Sequence, residues 1–435
     1  MMNQLNKAFN FIDRNAIFFN FGLAFICFGT LIIPSFSSGS LPGLIYRAAV
    51  LLLLVLFAFI LCITNKLKNI ILFICMAIYG LSNILVVSLI QWTNAGNGDS
   101  ISVITRLSGI AQVLGIMTIA LISFIVIRKK FSRLQIHICL AMTLLLSLLS
   151  AAYALCFQFD VIINSFFAEH ATLYQVTSFF NDKNAFGCLL MIGMIAAFFL
   201  AELSKKSRYY FFMIPLILLL IVSRAKIAIL LCSLFGLTLL IYKLITNWKR
   251  HRITVVTCMS LLVILSTSLV LFLLIPAIHQ SGVANQVYYY ITRTFINDGI
   301  ATVTERFEKW NNISSLFSSP LVIVGYGERT SLFVIDALRG YKNADNVYIS
   351  TLLEGGLIKL LLYFGFIISC IYYATKSINK KESLIYFLSF IGLMLIYGFF
   401  EDVSFLSTSA LSMVICSFLV ILPNSFQVYE KRSLH

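Results

Sequence analysis

Two cations stand two residues apart in an otherwise apolar stretch of the sequence. Arg224 and Lys226 lie in the run LLLIVSRAKIAIL (218–230), with no carboxylate within about twenty residues on either side. An Arg guanidinium offers a bidentate fork to phosphate oxygens, and a Lys ammonium offers a point charge. The pair therefore suits a lipid-linked phosphate or pyrophosphate at a membrane surface. The alternative is that both side chains only snorkel to the membrane interface.

A polar interruption over residues 276–346 holds the next candidates. Its segment RFEKW (306–310) predicts a helix over about 300–317 with one shared face, formed by Val303, Phe307, Trp310 and Ser314. Arg306 and Trp310 are neighbours on such a helix. Arg306 could contact a phosphate, and the Trp310 indole could stack on a sugar. The alternative is a surface helix with solvated charges at Glu305, Glu308 and Lys309.

Acidic and amide side chains mark the ends of later apolar segments. Asp345 and Asn346 directly precede one segment, where they either cap a helix or present a polar group at the membrane surface. Glu401 and Asp402 follow another segment and form a candidate acid pair, for which the alternative is ordinary solvation in a loop.

Two further features are less specific. Glu354 and Lys359 fall inside an apolar segment, where a charge cannot face lipid cheaply, so a charge pair or a polar interior is required. The segment GYG (325–327) predicts a flexible turn and is weak support for phosphate binding.

The elements that position these residues are predicted to be membrane-spanning helices. The chain has 435 residues, of which 60% are hydrophobic and only 11% are charged, whereas soluble domains have about 25% charged residues. Apolar runs long enough to cross a bilayer recur along the chain, and the alternation of a β-barrel is absent. The sequence therefore predicts an all-α polytopic membrane protein with about 12 transmembrane helices. The predicted segments are 16–33, 44–63, 69–90, 101–127, 134–157, 184–203, 209–222, 225–246, 253–275, 347–373, 383–400 and 404–422.

The placement of charge predicts the topology. Basic linkers occupy every second connection, namely 64–68, 128–133, 204–208, 247–252 and 376–381. This pattern follows the positive-inside rule and predicts cytoplasmic termini and an outward-facing loop over 276–346. The net charge of +15 then reflects topology, with some attraction to anionic lipid, and not nucleic-acid binding. We expect a single integral membrane domain over residues 1–435 with this loop inside it.

Several classes of site are not indicated by the sequence. All ten Cys fall inside apolar segments, so no extracytoplasmic disulfide framework is predicted. The five His share no ligand spacing, and no nucleotide-binding loop is present. We therefore expect no metal and no cofactor.

The order of the motifs resembles the O-antigen polymerase and O-antigen ligase superfamily. The segment FFNDKNAFGCLL, which contains Asn184, is similar to the start of one helix in that family, and VSRAKIAIL resembles its S-R segment. RFEKWNNISSLFSSPLVIVGYGERT and DNVYISTLLEGGLIKLLLYF resemble two later blocks, and the resemblance spans roughly residues 179–365. Ligases carry a His where this chain has Asp345, which favours the polymerase branch. The ten-residue spacing from Arg329 to Gly340 also fits loops of some polymerases.

The resemblance implies a metal-independent glycosyltransferase with a GT-C-like arrangement in the bacterial inner membrane. It would polymerise oligosaccharide repeat units carried on undecaprenyl pyrophosphate at the periplasmic face. Arg224, Arg306, Asp345 and Glu401 would be catalytic, the first two as cations for the leaving pyrophosphate and the others as base or positioning groups. The expected substrate-binding residues are Lys226, Trp310, Arg329, Asn346, Tyr348 and Asn184.

The implied partners are the lipid-linked oligosaccharide, membrane lipid and, as a further candidate, a chain-length regulator protein. Two alternatives stay open. One is the sister ligase, which transfers finished polymer to lipid A-core. The other is a flippase or transporter of lipid-linked oligosaccharides, although a polar loop as long as 276–346 is unnecessary for transport.

Overall fold

The structure is a computed structural model in which helices account for nearly all of the described chain, and the described part contains no strand. The described residues are 2–32, 41–65, 80, 103–167, 175–180, 182–247, 285, 288, 292, 298–318, 322–327, 344–378, 381–403, 405–406 and 410–430.

The helices follow the apolar runs of the sequence because a backbone in lipid must satisfy its hydrogen bonds within each segment. They are α1 (Met2–Arg14), α2 (Ala16–Ile32), α3 (Leu41–Asn65), α4 (Val103–Val126), α5 (Arg133–Phe157), α6 (Phe159–Phe167), α7 (Lys183–Ser204), α8 (Arg208–Phe211), α9 (Met213–Ser223), α10 (Lys226–Asn247), α11 (Asp298–Ser314), α12 (Val347–Ser377), α13 (Lys381–Phe400) and α14 (Ala410–Glu430).

Six of the described helices are long and apolar enough to cross a membrane, which makes this a multi-pass helical membrane protein. They are α3, α4, α5, α7, α12 and α13. The pair α1 and α2 is bent by 76° at Asn15, and three shorter apolar stretches occur around α9, α10 and α14. The predicted segments 69–90, apart from Gly80, and 253–275 lie outside the described residues. The expected total of about 12 spans and the GT-C-like arrangement stay predictions.

The chain divides into two compact units. The first comprises Met1–Leu146, Ile195–Phe211 and Lys309–His435, and the second comprises Ser147–Met194 and Phe212–Glu308. Three of the four boundaries fall within helices, namely α5, α7 and α11. The expectation of one integral membrane domain stays a prediction.

In the first unit, α3 packs against α4, α14 packs against α2, and α12 packs against α13. A buried hydrogen bond of 2.7 Å from Asn20 Nδ2 to Ser417 Oγ joins α2 to α14. Such a bond fixes the relative register of two helices, because neither polar group can be left unpaired in an apolar interior without a cost.

In the second unit, small residues allow close helix packing. A Cβ on Gly187 of α7 would lie 2.2 Å from the Cβ of Ala225, and a Cβ on Gly193 would lie 2.3 Å from Ser147 Oγ. The Ser147 hydroxyl donates to the backbone oxygen of Leu189 over 3.0 Å. The start of α7 therefore lies against the turn that joins α9 to α10.

The buried face of α11 differs from the prediction. Trp310 and Ile313 are buried, whereas Val303, Phe307 and Ser314 are exposed. Val303, Phe307, Trp310 and Ser314 share one side of the helix as predicted, but that side is mostly exposed. Ile313, which is not among those four residues, belongs to a small core with Ala344 and Leu353. The buried side of α11 is therefore the one that carries residues 309, 310 and 313.

Helix α12 is broken in a way that its apolar pattern did not indicate. Gly356 has φ 66° and ψ −167°, which is not helical. The Tyr348 ring stacks on Phe364 with ring centroids 5.5 Å apart, whereas a straight helix would separate residues 16 positions apart by about 24 Å. The predicted segment 347–373 is thus a short half-helix ahead of Gly356 that lies beside the start of a long one.

Candidate functional site

The candidate site lies at the start of α12, where polar side chains from three separate segments meet. Asn346 is the N-cap, and its Oδ1 accepts hydrogen bonds from the backbone N–H groups of Tyr348 (2.9 Å) and Ile349 (3.1 Å). The capping interpretation of Asn346 is confirmed, because the amide oxygen satisfies two of the orphan donors of a helix terminus. The Asn346 side chain is almost fully buried, and its Nδ2 group takes no part in the cap.

Asp345 turns the chain into this cap. Its φ of 48° lies in the left-handed region, which Asp tolerates better than most non-glycine residues. Its Oδ2 is 2.7 Å from Lys309 Nζ on α11, and both side chains are largely buried. The interpretation of Lys309 as a solvated charge is wrong, because Lys309 shares the buried side of α11 with Trp310 and Ile313. An ammonium buried there requires a carboxylate partner.

Trp310 anchors α11 to the same turn. Its Nε1–H donates to the backbone oxygen of Ala344 over 2.8 Å, and its ring packs edge-on against Phe399 with centroids 5.1 Å apart. Trp310 is 8% exposed. Its position is that of an anchor in the protein core and not of an open surface for stacking on a sugar.

Tyr348 has a comparable packing role. Its hydroxyl donates to the backbone oxygen of Leu395 on α13 over 2.6 Å, while its ring stacks on Phe364. A Cβ on Gly398 would lie 2.8 Å from Val347 Cγ1, so this glycine permits α13 to approach the start of α12 closely. Together these contacts hold the end of α13 beside the cap.

Asp402 follows α13 and completes the site. Its Oδ1 accepts two hydrogen bonds, one from the backbone N–H of Asn346 (3.1 Å) and one from the Ser350 hydroxyl (2.8 Å). Among the described residues no donor reaches its Oδ2, and the side chain keeps an exposed surface. The two donors fix the orientation of the carboxyl group and leave one oxygen available to a ligand.

The electrostatic environment raises the pKa of Asp402 to about 6. The main cause is desolvation, because protein atoms crowd the carboxyl group even though one side of it is open. The charges of Asp345 and Glu354 raise the pKa further, and the hydrogen bonds from Ser350 and Asn346 oppose the shift. A carboxyl group with such a pKa can both accept and release a proton near neutral pH.

Glu401, the predicted partner of Asp402 in an acid pair, is 5% exposed. Of the two neighbours, Asp402 is therefore the one that presents a carboxylate oxygen to the open side. Asp402 and Ser350 are absent from the predicted site residues. The sequence pattern could have indicated Asp402 through the acid pair, but Ser350 gives no signal of its own.

The GYG segment lies against the break in α12. The backbone N–H groups of Tyr326 and Gly327 donate to the oxygens of Leu353 (2.7 Å) and Glu354 (2.9 Å), and Ile358 N–H donates to Ile323 O (3.3 Å). These bonds satisfy groups that the break at Gly356 removes from the helix. The segment thus completes a broken helix, and phosphate binding is not needed to explain its glycines.

Glu354 and Lys359 flank this break as an ion pair, with Lys359 Nζ 3.0 Å from Glu354 Oε2. The expectation that two charges in an apolar segment need each other or a polar interior is confirmed. The pair lies close enough to Asp402 for the Glu354 charge to affect its pKa.

The remaining predicted residues belong to the second unit or lie outside the described residues. Arg224 is the C-cap of α9 in a left-handed conformation, with φ 56°, and is largely buried. Lys226 begins α10. Asn184 lies in the first turn of α7, which Asp182 caps through the N–H groups of Asn184 and Ala185.

Within the second unit, the contact between Gly187 and Ala225 brings the start of α7 to the Arg224 turn. Two of the predicted segments, those of Asn184 and of Arg224 and Lys226, are therefore neighbours. Arg306 is half-buried on α11, and Arg329 lies outside the described residues.

Within the described part of the chain, no three His, Cys, Asp or Glu side chains lie close enough together to hold a metal ion. No protein-family model matches this sequence, and no curated protein matches it either.

Proposed function

We propose that this protein is a glycosyltransferase that polymerises undecaprenyl-pyrophosphate-linked oligosaccharide repeat units into O-antigen polysaccharide at the periplasmic face of the inner membrane. The observation that carries the proposal is the Asp402 carboxyl group, which has one oxygen oriented by two donors and, among the described residues, no donor to the other. One of those two donors is the backbone N–H of Asn346, and Asp345 and Asn346 begin one of the blocks that resemble the polymerases.

In the proposed reaction, an acceptor sugar hydroxyl on one repeat unit attacks the anomeric carbon of the growing chain. The new glycosidic C–O bond forms as the bond from that carbon to the pyrophosphate oxygen breaks. Asp402 takes the hydroxyl proton, and undecaprenyl pyrophosphate leaves with the bonding electron pair. A base with a pKa near the working pH suits this step, because it is ionised before the reaction and still holds the proton afterwards.

The leaving pyrophosphate requires cations, since negative charge develops on its bridging oxygen. We assign this role to Arg224, Lys226 and Arg306. The Arg guanidinium groups can donate two parallel hydrogen bonds to phosphate oxygens, and the Lys ammonium offers a point charge. In the first unit, Lys309 is already paired with Asp345 and Lys359 with Glu354.

The experiment is chain extension by the purified full-length protein in detergent, with a lipid-linked repeat unit as the sole substrate. We expect a ladder of products for the wild type. Asp402→Asn should slow extension by roughly 10²- to 10⁴-fold, because a general base contributes that much. Glu308→Gln is the matched control, since Glu308 is an exposed acid on α11 and should leave the rate unchanged.

The outcomes separate this proposal from its alternatives. A wild-type protein that yields no ladder, but joins polymer to lipid A-core when that acceptor is added, would be a ligase. Transport of the repeat unit without any new glycosidic bond would identify a flippase. An Asp402→Asn variant that is as active as wild type would exclude Asp402 as the base while leaving the polymerase activity itself established.

A further inference from the structure

Helix α1 is amphipathic, and protein covers only part of its apolar side, since Phe9 and Ile12 are half-buried. Leu5, Ala8, Phe9 and Ile12 share one side of the helix, and the opposite side carries Asn3, Asn6, Lys7, Asn10 and Arg14. Leu5 is 45% exposed, and Ala8 is exposed as well. A soluble protein would bury this stripe against its core.

The C-terminal end of α1 is tied to the ends of three spanning helices. The Asp13 carboxylate accepts from Thr64 Oγ1 (2.9 Å) and from Asn65 Nδ2 (2.8 Å) at the end of α3. It also forms an ion pair with Lys129, just after α4. Gln135 Nε2, at the start of α5, donates to Arg14 O over 3.0 Å. The junction of α1 and α2 therefore lies at the level where these spans leave the membrane.

The direction of α1 relative to the membrane follows from the bend between α1 and α2. The axes of α1 and α2 differ by 76°, so if α2 runs along the membrane normal, α1 runs nearly parallel to the surface. At 13 residues, α1 is about 20 Å long and too short to cross about 30 Å of hydrocarbon. A short helix with a strong polar side at this level lies in the interface.

The charges around α1 are almost all positive. Lys7 and Arg14 are on the helix, and the adjoining connection contributes Arg128, Lys129, Lys130 and Arg133. Asp13 is the one acidic residue in either segment, and it is engaged by Lys129. Clusters of this kind attract anionic headgroups when they stand at a membrane surface.

We propose that α1 is an interfacial helix that lies on a bilayer surface rich in anionic phospholipid. Its apolar side, with Leu5 and Ala8, enters the boundary between headgroups and acyl chains. Lys7, Lys130 and the neighbouring cations hold the anionic headgroups beside it. This surface is independent of the proposed glycosyl transfer.

The test places a tryptophan on each side of α1 in the full-length protein, with the wild type as background for the three native tryptophans. Leu5→Trp reports on the apolar side and Asn10→Trp on the polar side. The proteins are reconstituted in vesicles of equal parts phosphatidylglycerol and phosphatidylcholine, with only one of the two lipids brominated to quench fluorescence. Ala8→Trp is a second probe of the apolar side in case Leu5→Trp fails to fold.

We expect strong quenching of Leu5→Trp and little quenching of Asn10→Trp. Quenching should be at least about twofold stronger when phosphatidylglycerol is the brominated lipid, because cations enrich anionic lipid around them. Lys7→Gln with Lys130→Gln should abolish that preference. Equal quenching on both sides of α1, or none on either, would overturn the interfacial helix. Equal quenching by the two lipids would overturn the preference for anionic headgroups.

Discussion

The carboxyl group of Asp402 determines the pH dependence that we expect of the reaction. Burial raises the pKa of this group to about 6, and only the ionised form can accept a proton from a sugar hydroxyl. Activity should therefore rise with pH through about 6 and reach a plateau above it. A profile of kcat against pH for chain extension measures this acidic limb.

Removing the Ser350 hydroxyl should shift the acidic limb of the profile of kcat against pH. The hydroxyl donates to Asp402 Oδ1 and stabilises the ionised form, so Ser350→Ala should raise the pKa of Asp402. The limb should shift to higher pH by up to roughly one unit, with the plateau retained. Ser369→Ala is the control, because that hydroxyl donates to the Gly365 oxygen of its own helix and has no other partner among the described residues. An unmoved limb in Ser350→Ala would mean that another group titrates.

The ion pair between Lys309 and Asp345 makes a prediction about stability. Lys309→Met leaves the Asp345 carboxylate without its ammonium, and Asp345→Asn leaves the ammonium without its carboxylate. Each single change should cost roughly 1–3 kcal/mol, because a largely buried charge loses its partner. The double variant should cost less than the sum of the two. Thermal unfolding in detergent measures this coupling, and strict additivity would show that the pair contributes no energy.

At the scale of elements, the break in α12 is expected to be required by the fold. A Cβ at position 356 would lie 2.2 Å from Ile323 O, at a φ of 66° that non-glycine residues rarely adopt. Gly356→Ala should therefore destabilise the protein by more than about 2 kcal/mol. Gly365→Ala, farther along α12, has open space around it and should be neutral or slightly stabilising. Equal melting temperatures for the two variants would contradict the role of the break.

The same elements show what the sequence could predict. The N-cap at Asn346 and the pairing of Glu354 with Lys359 were predictable, because both follow from local costs that any surrounding structure must satisfy. The buried side of α11 was not predictable, because apolar residues lie on two sides of that helix and either side could be buried. Contacts of Ile313 with distant residues decide between them. The break at Gly356 was not predictable either, because glycine also occurs in unbroken membrane helices. Only the contact with the 323–327 segment distinguishes a broken helix from an unbroken one here.

At the scale of the whole molecule, hydropathy predicted the elements better than the site. Most predicted apolar segments coincide with described helices, because lipid leaves the backbone few other solutions. Which of Glu401 and Asp402 belongs to the site depends on where α13 ends, because the end of that helix decides which of the two side chains faces the N-cap of α12. Ser350 reaches the site only through a tertiary contact with Asp402. Such information is non-local and lies beyond any pattern in the sequence.

The predicted topology has a test that bears on every proposal made for this chain. In intact cells, a membrane-impermeant maleimide should label Ser315→Cys in the outward loop. It should label Ser207→Cys and Lys7→Cys only after permeabilisation, because the basic linkers and the N-terminus are assigned to the cytoplasm. The three positions are exposed, and the wild type measures background from the native cysteines. Labelling of Ser315→Cys only after permeabilisation would mean that the Asp402 site faces the cytoplasm. Lipid-linked repeat units at the periplasmic face could then not reach it, and the proposed polymerase activity would be refuted.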